Sequence, residues 1–162
     1  MGLLPRVTES EDVVDDDVIT PYNFSVVETG IYRCGFPPET VKFLQAHNIK
    51  LFQFGIQGGT VDPLAPPEDA IAKSIRKKRK KDMITEGLQV LFDERNHPVL
   101  IHCRHGNHRT GIVAGFYRKL KQNWCLPCVL EEYERLSGET ARQSDMKFIE
   151  NYEAHDTLDA SG

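Results

Sequence analysis

The sequence predicts an α/β domain built on a small, largely parallel sheet flanked by helices. Three observations lead there. Short apolar runs suited to strands lie early and in the middle of the chain, helical periodicities gather towards its end, and residues 98–120 read as strand, tight loop and helix in direct succession. At 162 residues the chain has the length of one domain with a real core.

Taken in order, residues 1–20 are acidic through Glu9, Glu11, Asp12, Asp15, Asp16 and Asp17, and lack a sustained period. That predicts a disordered tail, followed by one domain over 21–156 and a short tail over 157–162. Phe24, Val26 and Val27, then Ile31 and Tyr32 after Gly30, predict two short strands joined by a turn. Pro38 opens a helical pattern with Val41, Phe43, Leu44 and Ala46, and residues 50–54 read as a strand ending at Gly55. Two Gly and three Pro over residues 57–67 predict a loop. A helix follows from about Glu68, interrupted near the basic run Arg76-Lys77-Lys78-Arg79-Lys80-Lys81 and resumed through Ile84, Leu88 and Leu91. Asn96-His97-Pro98 turns the chain into a strand, Val99-Leu100-Ile101, suited to burial on both faces. Ile112, Val113, Phe116 and Leu120 then recur at helical spacing. Pro127 begins another helix through Val129, Tyr133 and Leu136, stopped at Ser137-Gly138, and Ser144 caps a last one carrying Phe148, Ile149 and Tyr152.

Composition narrows the class. The net charge of −4 is poor ground for a general nucleic-acid binder, and no apolar run approaches the roughly 18 residues of a membrane span. The first residues turn acidic before any long apolar stretch, so no secretory signal is expected. Four cysteines without such a signal fit a reducing compartment, cytoplasmic or nuclear.

The chemistry concentrates in His102-Cys103-Arg104-His105-Gly106-Asn107-His108-Arg109-Thr110. A cysteine attacks phosphorus as a thiolate, yet a free thiol has a pKa of about 8.5. The start of a helix near Arg109, the amides of a tight loop and the Arg109 cation all favour the thiolate. Gly106 lets the loop curl so that its amides converge. Arg109 can grip two phosphate oxygens, and Thr110 can donate its hydroxyl to the sulfur. Arg104, His105, Asn107 and His108 complete the expected phosphate-binding set. The loop supplies its own positive charge, so neither metal nor cofactor is expected. Reading Cys103 as a buried thiol and Arg109 as a surface cation leaves Gly106 and Thr110 unexplained.

This constellation resembles the Cys-x5-Arg signature of the protein tyrosine phosphatase superfamily, in its strict form HC-x-x-G-x-x-R-T. With the flanks NFSVVETGIYRCGFP, FLQAHNIKLFQFGI, WCL…EEYERL and ARQSD, residues 22–153 resemble the plant and fungal atypical dual-specificity phosphatases, a group linked to inositol pyrophosphate hydrolysis. The resemblance implies a compact cysteine-phosphatase domain acting on the β-phosphate of a diphosphoinositol polyphosphate through a phosphocysteine. A phosphotyrosine or dual-specificity protein phosphatase acting on a phosphoprotein is the enzymatic alternative. Relative to that family the chain lacks one βα unit between residues 35 and 43, carries an insertion around residues 75–85, and has Asn107 where a lysine is usual. The lost unit keeps a third alternative open, a catalytically weak phosphate-binding protein.

The superfamily's general acid is an Asp on a separate loop, for which Asp62, Glu68 and Asp69 are the candidates and Asp62 the choice. Trp124-Cys125-Leu126-Pro127-Cys128 spells a thioredoxin-like pattern, but a helical segment precedes it where a strand should. An ordinary helix start with buried thiols is expected instead. His102 is expected to order the loop through hydrogen bonds rather than to act as a base.

Overall fold

The computed structural model describes residues 22–36, 52, 54 and 69–153. Strand β1 (Ser25–Glu28) and strand β2 (Ile31–Gly35) form the expected hairpin, turning through Gly30 at φ +83. A turn this short can only return the chain antiparallel. Strand β3 (Val99–Cys103) then joins β2 in parallel, with Ile31 opposite Val99 and Gly35 opposite Cys103. The described sheet thus runs β1-β2-β3, with one antiparallel and one parallel pair. β2 is the central strand. β3 is less enclosed than its apolar run suggests, since Leu100 remains 40% exposed while its neighbours alternate towards the core.

Helix α1 (Ala70–Phe92) is continuous across the basic run, where an interruption was expected. Lys and Arg are good helix formers, and all six of the run but Lys80 are exposed. Asp69 caps its start, accepting from the Ala72 N–H at 2.7 Å. Near the middle the Lys80 Nζ reaches Asp145 at 3.7 Å and lies over the Phe148 ring, 4.7 Å from its centre, which ties α1 to the last helix. Only Ile84, Leu88 and Leu91 are buried, a single stripe in the second half. A 3-10 turn (Glu94–Asn96) and a cis His97-Pro98 bond lead into β3.

Helix α2 (His108–Leu120) is the hub of the core, burying Ile112, Ala114, Phe116 and Tyr117. Helix α3 (Leu126–Ser137) has Pro127 in its first turn and ends at Gly138, φ +53. Helix α4 (Gln143–Glu150) has Arg142 at its N-cap position with no side-chain cap bond, and Ser144 lies within its first turn rather than at the cap. The Phe116 ring stacks on Tyr152 at 4.0 Å and meets Phe148 edge-on at 5.5 Å, which closes this side of the core. Between α2 and α3, Arg118 forms a buried two-pronged pair with Glu132 (3.1 and 2.8 Å) and covers the Trp124 ring at 4.1 Å.

The Trp124–Cys128 run opens a helix and follows α2, not a strand, so the thioredoxin setting is absent from it. Its cysteines are not buried thiols: Cys125 and Cys128 are both exposed and paired as a disulfide across the first turn of α3. The other two, Cys34 and Cys103, are free thiols.

Several expectations fall outside the described residues: both tails, the helix from Pro38, the loop over 57–67, the site of the shortening, and most of the strand over 50–54. Of that strand, Phe52 and Phe54 belong to no ladder among the described residues. Phe54 instead lays its ring against Gly87 of α1 and packs on the core.

Candidate active site

β3 carries Cys103 to the carboxyl end of the sheet, the four residues after it turn sharply, and α2 starts at His108. The strand, loop and helix anticipated from the sequence therefore stand in the geometry that aims helix-terminal amides at one point. Gly106 makes the turn possible, with φ +74. Its Cα lies against β2 so closely that a side chain has no room there.

Cys103 is half-buried. Burial alone raises the pKa of its thiol, but the Thr110 hydroxyl and the N–H groups of Thr110, His105 and Gly106 all donate towards the sulfur and outweigh it, so the pKa is lowered. The Thr110 hydroxyl is itself buried and meets no partner at full hydrogen-bond geometry among the described residues, so it acts on the sulfur as a nearby dipole. Arg109 sits in the first turn of α2, part-buried, six residues on from Cys103. Arg104 and His105 are exposed at the tip of the loop.

Two residues expected to bind substrate are otherwise engaged. Asn107 is buried, donates to the Thr140 hydroxyl at 3.0 Å and accepts from the Asn23 amide. The His108 ring is bonded to the Thr140 carbonyl at 2.6 Å. Both side chains tie the loop to the turn between α3 and α4. His102 also differs from expectation. Its ring stacks on Phe36 at 5.0 Å, its Nδ1 is buried without a partner among the described residues, and burial lowers its pKa. Among the described residues its contribution to the loop is this packing on Phe36.

Of the general-acid candidates, Asp62 and Glu68 lie outside the described residues, and Asp69 is committed to capping α1. Among the described residues no cluster of three His, Cys, Asp or Glu side chains could hold a metal ion.

Sequence reasoning missed Arg33. This β2 residue is 2% exposed, and its Nη2 donates to the Gly106 carbonyl at 2.8 Å from below the loop. The signal was a lone cation inside an otherwise apolar strand, the pattern of a buried polar group with a dedicated partner. Asn23 was missed as well. It reaches the loop from before β1, donating to the His105 carbonyl at 3.2 Å, and a contact 82 residues apart in sequence leaves no local pattern.

Comparison with known proteins agrees with this geometry. Residues 37–161 match the model of the "Tyrosine phosphatase family". The chain is 41% identical over 172 aligned positions to inositol diphosphatase DSP3 of Arabidopsis thaliana, covering 91% of this chain and 78% of that protein. Those aligned positions outnumber the residues of this chain, so the relative contains residues that it lacks. Inositol diphosphatase SIW14 of Saccharomyces cerevisiae is 32% identical, over 87% of this chain and 54% of that one. The crystal structure of the core catalytic domain of the yeast PP-IP phosphatase SIW14 superposes with a TM-score of 0.68 at 33% identity, covering 84% of this chain and 88% of the other. This chain is a member of the tyrosine phosphatase family, in the group that contains the plant and yeast inositol diphosphatases.

Proposed function

We propose that this protein is a cysteine-dependent phosphatase that removes the β-phosphate of diphosphoinositol polyphosphates. The observation that carries the reading is the strand, turn and helix that set Cys103 at the end of β3, wrap the loop around it through Gly106 and open α2 beside it, an arrangement that lowers the pKa of the thiol. The names of the relatives supply the substrate class.

In this reading the Cys103 thiolate attacks the β-phosphorus and forms an S–P bond. The bond from that phosphorus to the bridging oxygen breaks, and the electron pair leaves with the inositol phosphate. Arg109 and the loop amides hold the three equatorial oxygens as charge spreads over them. Water then attacks the phosphocysteine, orthophosphate departs, and the thiolate returns. A phosphate leaving group is stable as an anion, so protonation by Asp62 is a smaller demand than in ester hydrolysis. Arg104 and His105, exposed at the loop tip, are placed to meet further phosphates of the substrate.

The test compares orthophosphate release from a diphosphoinositol polyphosphate by the purified chain and by Cys103→Ser. Release by the native chain alone is expected. Equal release by both would overturn the mechanism, far better turnover of phosphotyrosine peptides would overturn the substrate, and tight binding without turnover would make this a binding protein.

A further inference from the structure

Arg33 heads the fully buried side chains in size, and it stands in the middle of β2 opposite Ile101. A guanidinium this far from water normally meets a carboxylate fork to fork. Here it does not. The nearby carboxylate, Glu132, gives both oxygens to Arg118, while Arg33 donates through Nη2 to the Gly106 carbonyl and keeps Nε unpartnered among the described residues. An arginine keeps its proton under all ordinary conditions, so β2 holds a fixed positive charge beneath the loop.

We propose that Arg33 is a positioning residue for phosphoryl transfer: it pins the Gly106 carbonyl towards β2, which fixes the peptide between Gly106 and Asn107 and with it the turn that carries the sulfur-facing N–H groups, and its charge favours the Cys103 thiolate. In a trans peptide the carbonyl and the next residue's N–H point opposite ways. The Gly106 carbonyl held towards β2 therefore turns the Asn107 N–H away from it, and the Arg104 carbonyl, held by the Phe36 N–H, does the same for the His105 N–H, one of those that act on the sulfur. The rest of β2 reinforces the hold, because the backbone of Cys34 and Gly35 lies against Gly106 and the Phe36 N–H donates to the Arg104 carbonyl at 3.3 Å. Electrostatic coupling between Arg33 and Cys103 follows from the same arrangement. The inference rests on Cys103 being the nucleophile.

The test uses the full chain with Arg33→Gln, which keeps a donor but drops the charge, and Arg33→Lys, which keeps the charge but loses the fork. Two readouts are taken beside the melting temperature: the pH midpoint of Cys103 alkylation by iodoacetamide, and kcat and KM for phosphate release. For Arg33→Gln the alkylation midpoint is expected to rise by about one pH unit and kcat to fall about tenfold or more, with KM little changed. For Arg33→Lys the midpoint stays near native while kcat recovers in part. A folded Arg33→Gln with native midpoint and kcat overturns the proposal, as does a loss of kcat that tracks melting temperature with no change of midpoint. Should Arg33→Gln fail to fold, Arg33→Lys decides: native kcat would refute the anchoring role. Failure of the underlying reading is separate, since it shows as phosphate release unchanged in Cys103→Ser whatever Arg33 does.

Discussion

Gly106 and Cys34 meet backbone against backbone: a Cβ on Gly106 would stand 2.6 Å from the Cys34 carbonyl carbon and 2.6 Å from the Gly35 nitrogen. Neither strand nor loop can yield there without breaking the β2–β3 ladder. Gly106→Ala adds a left-handed backbone penalty of about 1–2 kcal/mol to that clash. It is expected to lower stability by more than ~2 kcal/mol and phosphate release about a hundredfold, measured by urea denaturation and by turnover.

The lowered pKa of Cys103 fixes the sign of its pH dependence. The thiolate persists below the ordinary thiol range, and reactivity is lost as pH falls through the lowered value. Thr110→Val keeps the shape of that side chain and removes the hydroxyl that acts on the sulfur. The midpoint of Cys103 alkylation is therefore expected to move to higher pH, and the acid limb of activity with it. An unchanged midpoint would assign the effect to the backbone amides alone.

Glu132 gives both oxygens to Arg118, and both side chains are nearly buried. Glu132→Gln leaves the Arg118 charge without its counterpart and is expected to cost about 3–5 kcal/mol. The double replacement Arg118→Met with Glu132→Leu removes both charges and is expected to recover much of that loss. Denaturant unfolding of the three proteins measures the difference. Arg118 also donates to the Val27 carbonyl, so the recovery falls short of complete.

Tyr133 joins α3 to α4 by donating to Asp145 at 2.9 Å, while one edge of its ring lies against Gly111. Burial, then the Asp145 charge and hydrogen bond, push its pKa up to about 12. A pKa raised on folding means stability that is whole below the unfolded value near 10 and is lost as pH rises through the folded one. Tyr133→Phe is expected to cost about 1–2 kcal/mol at neutral pH and to flatten the fall in stability between pH 10 and 12, read from thermal melts across that range.

The sequence made the loop legible because strand, turn and helix are contiguous there, and each leaves its own period. The hairpin, α2 and α3 were legible for the same reason. What escaped it are relations between distant segments: Arg33 under Gly106, Asn23 on the loop, and Thr140 holding Asn107 and His108. Local composition also misled where one property had two readings. A run of cations was taken as a break in α1, whereas lysine and arginine favour a helix as long as they stay wet. Cys125 and Cys128 were expected inside because free thiols usually are, yet the first turn of α3 holds both at the surface.

The continuity of α1 has a further consequence. Lys73 and Lys77, and Lys77 and Lys81, each stand four residues apart on that helix, so its first half is wound against like-charge repulsion. Added electrolyte screens that repulsion readily, because Lys73, Lys77 and Lys81 are exposed, and it weakens the half-buried Lys80–Asp145 pair less. The first turns of α1 thus tighten as ionic strength rises, where an ordinary helix laced with opposite charges would loosen. Multivalent anions, condensing on the cation ridge, act at far lower concentration than simple salt.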